Sequence, residues 1–125
     1  MTQTIDPRLL EPPDDATVAR ALADFAAAVR RHYGDRLRGL YLFGSRARGD
    51  HTAESDADVA VVLADGDWRV LEEKKALIRL GYDLMVDTGT DIQAWPMRES
   101  EWREPHRHHN PTFAAAVRAE GKVLP

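Results

Sequence analysis

FGSRARGDHTAESDADVAVVL, Phe43 to Leu63, is the stretch whose reading decides the fold. It begins at the end of an apolar and aromatic run, LRGLYLF (Leu37–Phe43), which Gly44 bounds as it would a strand. It ends on Asp56-Ala-Asp-Val-Ala-Val-Val-Leu63, a second strand whose uninterrupted apolar tail is that of a buried one. Between them lies a polar segment, Gly44 to Ser55. Gly44 permits backbone conformations that aim N–H groups at an anion, and Ser45 adds a short hydroxyl donor. If Ser45 opens a helical turn, its free amides form a phosphate site. Arg46 and Arg48 bring fork-shaped cations suited to phosphate oxygens. Asp56 and Asp58, two apart on a strand, project from one face. Side by side they repel each other. A hard divalent cation relieves that repulsion, and magnesium takes such oxygen ligands together with substrate phosphates.

The flanking sequence supplies the rest of a sheet and its helices. Residues 1–13, with Pro7, Pro12 and Pro13, read as an irregular lead-in. Asp14 or Asp15 then caps a helix whose apolar stripe is Val18, Leu22, Phe25, Val29 and Tyr33, closed by Gly34. After Leu63, Asp65-Gly66 turns the chain into a helical pattern from Trp68 to about Val86. Its apolar positions are Val70, Leu71, Leu77, Ile78, Gly81 and Leu84, with Glu72, Glu73, Lys74 and Lys75 exposed between them. Thr90 to Trp95 alternates before Pro96, predicting a third strand with Asp91, Gln93 and Trp95 on one face and Ile92 and Ala94 on the other. Asp83 and Asp87 compete with Asp91 as a third carboxylate, but only Asp91 falls on the alternating segment. A polar, proline-punctuated stretch precedes a short helix, Pro111 to Ala119, and Lys122-Val-Leu offers a brief edge strand. The order α, β, β, α, β, α predicts one small α/β (α+β) domain over residues 14–125, a mixed sheet flanked by helices.

Composition removes other classes. With 125 residues the chain has room for one core and not two. No apolar run approaches the roughly 18 residues of a membrane-spanning helix, and MTQTIDPRLLEPPDD lacks a signal-peptide pattern. The absence of cysteine excludes a disulfide scaffold, a thiolate zinc site and a cysteine nucleophile, and fits the cytoplasm. A net charge of −4 argues against stable non-specific DNA binding. His106, His108 and His109 lack the spacing of a metal motif, and Trp68, Trp95 and Trp102 read as packing residues, Trp95 also as a pocket wall.

Gly44-Ser45, ten residues, then Asp56-x-Asp58 resembles the signature of the DNA polymerase β-type nucleotidyltransferase superfamily. The fuller GSRARGD and SDADV are most similar to minimal nucleotidyltransferases, including MntA-type antitoxins, and TDIQAW puts Asp91 in the slot of the third carboxylate. The resemblance implies transfer of a nucleoside monophosphate, AMP from ATP, to a hydroxyl with release of pyrophosphate. It implies two Mg²⁺ ions held by Asp56 and Asp58, with Asp91 binding the catalytic one and helping to deprotonate the acceptor, and a triphosphate gripped by Ser45 and the Gly44 backbone, beside the contact candidates Arg46 and Arg48. A chain this short leaves little for an acceptor domain. The acceptor expected from the resemblance is therefore a tyrosine of a HEPN-type toxin RNase, in a hetero- or homo-oligomer. Two other readings stay open: an antitoxin that neutralises by docking alone, and a nucleotidyltransferase acting on an aminoglycoside-like alcohol.

Overall fold

The computed structural model describes residues 11–125, so the lead-in as far as Leu10 lies outside the described residues. Helix α1 spans Asp15–Tyr33, strand β1 Leu37–Phe43, and the single turn α2 Ser45–Arg48. They are followed by β2 (Ala57–Leu63), α3 (Val70–Thr88), β3 (Ile92–Arg98), α4 (Glu99–Arg103), α5 (Pro111–Glu120) and β4 (Lys122–Val123). The sheet order is β3-β2-β1-β4, with β2 and β3 parallel and the other pairs antiparallel. The architecture is thus the expected mixed sheet flanked by helices.

Helix α1 starts where its chemistry allows. The Asp14 carboxylate accepts the Thr17 N–H at 2.8 Å, and Thr17, through its side chain first and then its backbone, holds the Asp14 carboxyl below the usual range. Asp14→Ala is expected to lower stability by about 1 kcal/mol, read as a shift in a urea or thermal melt. The stripe Val18, Leu22, Phe25, Val29 and Tyr33 is buried, against Leu40 of β1, Val59, Val61 and Leu63 of β2, and Leu77 of α3. On the other face of the sheet, α5 sets Ala114 and Val117 over Phe43, Ala60 and Met97. Next to them Trp102 of α4 stacks on Tyr41, with ring centroids 4.1 Å apart. Both faces carry a core, but the second helix layer covers only part of its face.

Three local expectations need correction. The third strand runs through Pro96 to Arg98, because β3 is an edge strand and a missing donor is tolerated there. The stretch after it contains α4, whose first turn is closed by the Glu101 carboxylate accepting the Arg98 N–H at 2.8 Å. Finally, Val70, Leu71 and Ile78 are exposed. The inward seam of α3 is Leu77, Leu80 and Leu84, with Gly81 approached by Phe25. A second apolar stripe, Leu71, Ile78, Tyr82 and Met85, faces outward at the same helical period. Among the described residues no helix is long and apolar enough to cross a membrane.

Candidate active site

Strand β1 runs out of the sheet at the end where β2 and β3 enter it. Phe43 pairs with Asp58, and Asp58 with Gln93. The Ala57 N–H donates to the Asp91 carbonyl at 2.9 Å, which locks the two entering strands in step. Asp56 and Asp91 therefore precede their strands side by side, Asp58 lies one pleat further in, and the Gly44-Ser45 turn faces them across β1. This is the sheet face that α5 leaves open.

The carboxyls of Asp56 and Asp58 are both disturbed by their surroundings. Burial raises the Asp56 carboxyl above its ordinary range, as do the Asp91 charge, a hydrogen bond with Asp91 and the Asp58 charge, with Arg46 opposing. Asp58 is raised chiefly by burial and also by Asp91, against the influence of the nearby Trp95 side chain and the charges of Lys74 and Arg48. Gln93 Nε2 donates to Asp91 Oδ1 at 2.8 Å and orients that carboxylate. Among the described residues no three acidic or imidazole side chains close a metal cage by themselves. The set is all hard oxygen and short of positive charge, so it suits a cation whose remaining ligands are water and phosphate oxygens.

Gly44 is glycine for two reasons. Its φ of 75° and ψ of −158° lie in a region other residues avoid, and a Cβ there would sit 2.5 Å from Asp58 Oδ2. Ser45 begins α2, as the motif required, with Arg46 and Arg48 on the same turn. The two arginines differ in their engagements. Arg46 is largely buried and holds the following loop, donating from Nε to the Ser55 carbonyl at 2.9 Å and pairing with Asp15. Arg48 stays at the surface, bridged to Asp50 and, at 3.0 Å, to Glu120.

Two residues at the site escaped the sequence reading. Glu120, at the end of α5, accepts the Gly44 N–H at 3.0 Å on one oxygen and Arg48 on the other. Nothing in AEGKVL signals this, since the contact spans 76 residues. Lys74, expected among the exposed charges of α3, is half-buried. Its Nζ donates to the Ala94 carbonyl at 3.0 Å and lies 3.5 Å from the centroid of the Trp95 ring. Burial lowers its pKa, with Asp58 pulling the other way. The histidines form no metal site among the described residues. His108 Nδ1 instead accepts the Asn110 N–H at 2.9 Å, in the turn that leads into α5.

A Gly-Ser turn between a strand and a helical turn, with Asp56 and Asp58 beside it at the start of the next strand, is the arrangement expected of a nucleotidyltransferase. Residues 22–115 match the nucleotidyltransferase domain model, and the chain belongs to that family of enzymes. Over 105 residues, 84% of this chain and 95% of the other, it is 29% identical to MJ0604 of Methanocaldococcus jannaschii, named as a candidate protein adenylyltransferase. A crystal structure of a nucleotidyltransferase-type protein from Sulfolobus solfataricus superposes with a TM-score of 0.52 at 21% identity, covering 75% of this chain and 78% of that one. A toxin–antitoxin complex with AMP-PNP gives 0.55 at 22% identity over 82% and 72% of the two chains. The tri-AMPylated Shewanella oneidensis HEPN toxin bound to its MNT antitoxin gives 0.52 at 20% identity over 86% and 71%. These likenesses of structure concern the fold.

Proposed function

We propose that this chain transfers AMP from ATP to a hydroxyl of a partner protein, and that the partner is a HEPN-type toxin modified on a tyrosine. One observation carries the protein-acceptor reading. Three residues of the outward stripe of α3 (Ile78, 61% exposed, with Tyr82 and Met85) wall a groove of about 230 Å³ whose lining includes Asp91 and Gln93. An apolar surface leading to a catalytic carboxylate suits a folded acceptor better than a small polar alcohol. The similarity to MJ0604 and the complexes named above support the same reading.

In this scheme Asp56, Asp58 and Asp91 would hold two Mg²⁺ ions, which neutralise triphosphate charge when bound. Asp91, oriented by Gln93, accepts the proton of the acceptor hydroxyl. The hydroxyl oxygen bonds to the α-phosphorus as the bond to the bridging oxygen breaks, and pyrophosphate leaves with that electron pair. The Gly44-Ser45 turn and Arg48 receive the departing phosphates. Arg46 braces the loop that carries the turn. Transfer of this kind depends on positioning and charge compensation more than on covalent chemistry.

Incubation of the purified chain with the folded partner, ATP and Mg²⁺ is expected to add AMP-sized increments to the partner's intact mass. An unmodified partner would overturn the proposal. Full neutralisation by the Asp56→Ala/Asp58→Ala double variant would assign the activity to docking alone.

A further inference from the structure

We infer that the pocket of about 430 Å³ between Trp95 and Phe113 is the seat of the nucleobase, an inference that rests on the nucleotidyltransferase reading. It is separate from the α3 groove: Asp91 lines that groove and not this pocket.

Position is the first argument. Trp95 lies one pleat beyond Gln93 on the open face, and its side chain is close enough to Asp58 to oppose the rise of that carboxyl. Phe113 meets the Trp95 ring edge-on at 5.7 Å and the Phe43 ring at 6.0 Å. Phe43 directly precedes Gly44. The pocket walls therefore reach the residue before the Gly44 turn through Phe113 and the neighbourhood of Asp58 through Trp95, as a base linked through ribose to a triphosphate requires.

Chemistry is the second. Trp95 remains 36% exposed amid aromatic neighbours, and Lys74 lies over its ring at 3.5 Å. His109 stacks on His108 and completes an aromatic rim. A planar heterocycle has faces to stack on such walls and polar edges to be read. The edge groups are present. Asn110 Oδ1 is engaged by the Phe113 N–H, which leaves the amide NH₂ to donate. Glu101 Oε1 takes the Arg98 N–H, which leaves its second oxygen to accept. Few, convergent polar groups in a mostly apolar pocket characterise small-ligand sites.

The test compares ATP with inorganic tripolyphosphate, each titrated with Mg²⁺ into the full chain by calorimetry. ATP is expected to bind more tightly. His109→Ala, at the exposed rim, and Phe113→Leu should each weaken ATP by about tenfold and leave tripolyphosphate unchanged. Trp95 emission should respond to ATP but not to tripolyphosphate, and the response should vanish in Trp95→Phe. Equal affinities for the two ligands, or equal weakening of both in the variants, would overturn the assignment. So would unchanged ATP affinity with slowed partner modification, which would give the pocket to the acceptor's ring. Failure of both ligands to bind would instead remove the nucleotide reading on which the inference stands.

Discussion

Asp58→Asn is expected to lower nucleotidyl transfer by at least about 10²–10³-fold and, without divalent cation, to raise stability. The two effects share one cause. Burial and the neighbouring Asp91 charge make the ionised Asp58 costly in the folded state. A carboxyl raised on folding contributes stability that is fully present below its unfolded pKa, near 3.8, and is lost as pH rises through the higher folded value. Asp56 acts in the same direction. Above that folded pKa the cation-free wild type carries this strain, and the neutral amide removes part of it. Mg²⁺ should reverse the order. Binding the folded state at a hundredfold excess over its Kd adds about 2.7 kcal/mol, and only the wild type should gain it. Thermal melts of both proteins with EDTA and with Mg²⁺ check this. A variant less stable than wild type in EDTA would mean that Asp58 supports the fold and is not strained by it.

Gly44→Ala should impair both stability and activity. The backbone conformation at Gly44 alone costs a residue with a Cβ about 1–3 kcal/mol. The added methyl also needs the space of Asp58 Oδ2, which would be 2.5 Å away. Either the turn or the carboxylate must move, and both belong to the site. Activity is expected to fall by about 10²-fold or more, since a 1 Å displacement at a reacting centre suffices for that. Wild-type turnover on a melt lowered by less than 1 kcal/mol would show that the turn does not need its glycine. Asp14→Ala offers a contrast: a similar loss of stability from a helix cap, with turnover per folded molecule unchanged.

What could be read in advance depended on how locally each feature is determined. The α1 stripe, the apolar tail of β2 and the Gly-Ser to Asp-x-Asp spacing are short-range patterns, and each appears in the structure where the pattern put it. Asp91 was harder, because it precedes β3 instead of lying within it, and only the parallel pairing with β2 draws it to Asp56. The two apolar stripes of α3 could not be told apart. Periodicity identifies a hydrophobic face but not whether the chain itself covers it, so Ile78 and Leu77 looked alike. Pro96 reads as a strand end because nothing in the sequence places β3 at the sheet edge, where a missing donor is tolerated. Lys74 and Glu120 illustrate the largest gap. Both are ordinary charged helix residues by type, and only tertiary placement sets one over Trp95 and the other against Gly44.

Helix α5 touches the site at both of its ends, through Phe113 and through Glu120. Seven residues separate the two, so their side chains leave the same face of the helix, roughly 10 Å apart along its axis. The helix is thereby a strut of fixed length between the aromatic wall and the turn that faces the carboxylates. A longer or shorter strut could not serve both ends: one residue added or removed between them would swing one contact about 100° around the axis. Sequence change within α5 is thus constrained in length and phase more strictly than its solvent-facing alanines suggest.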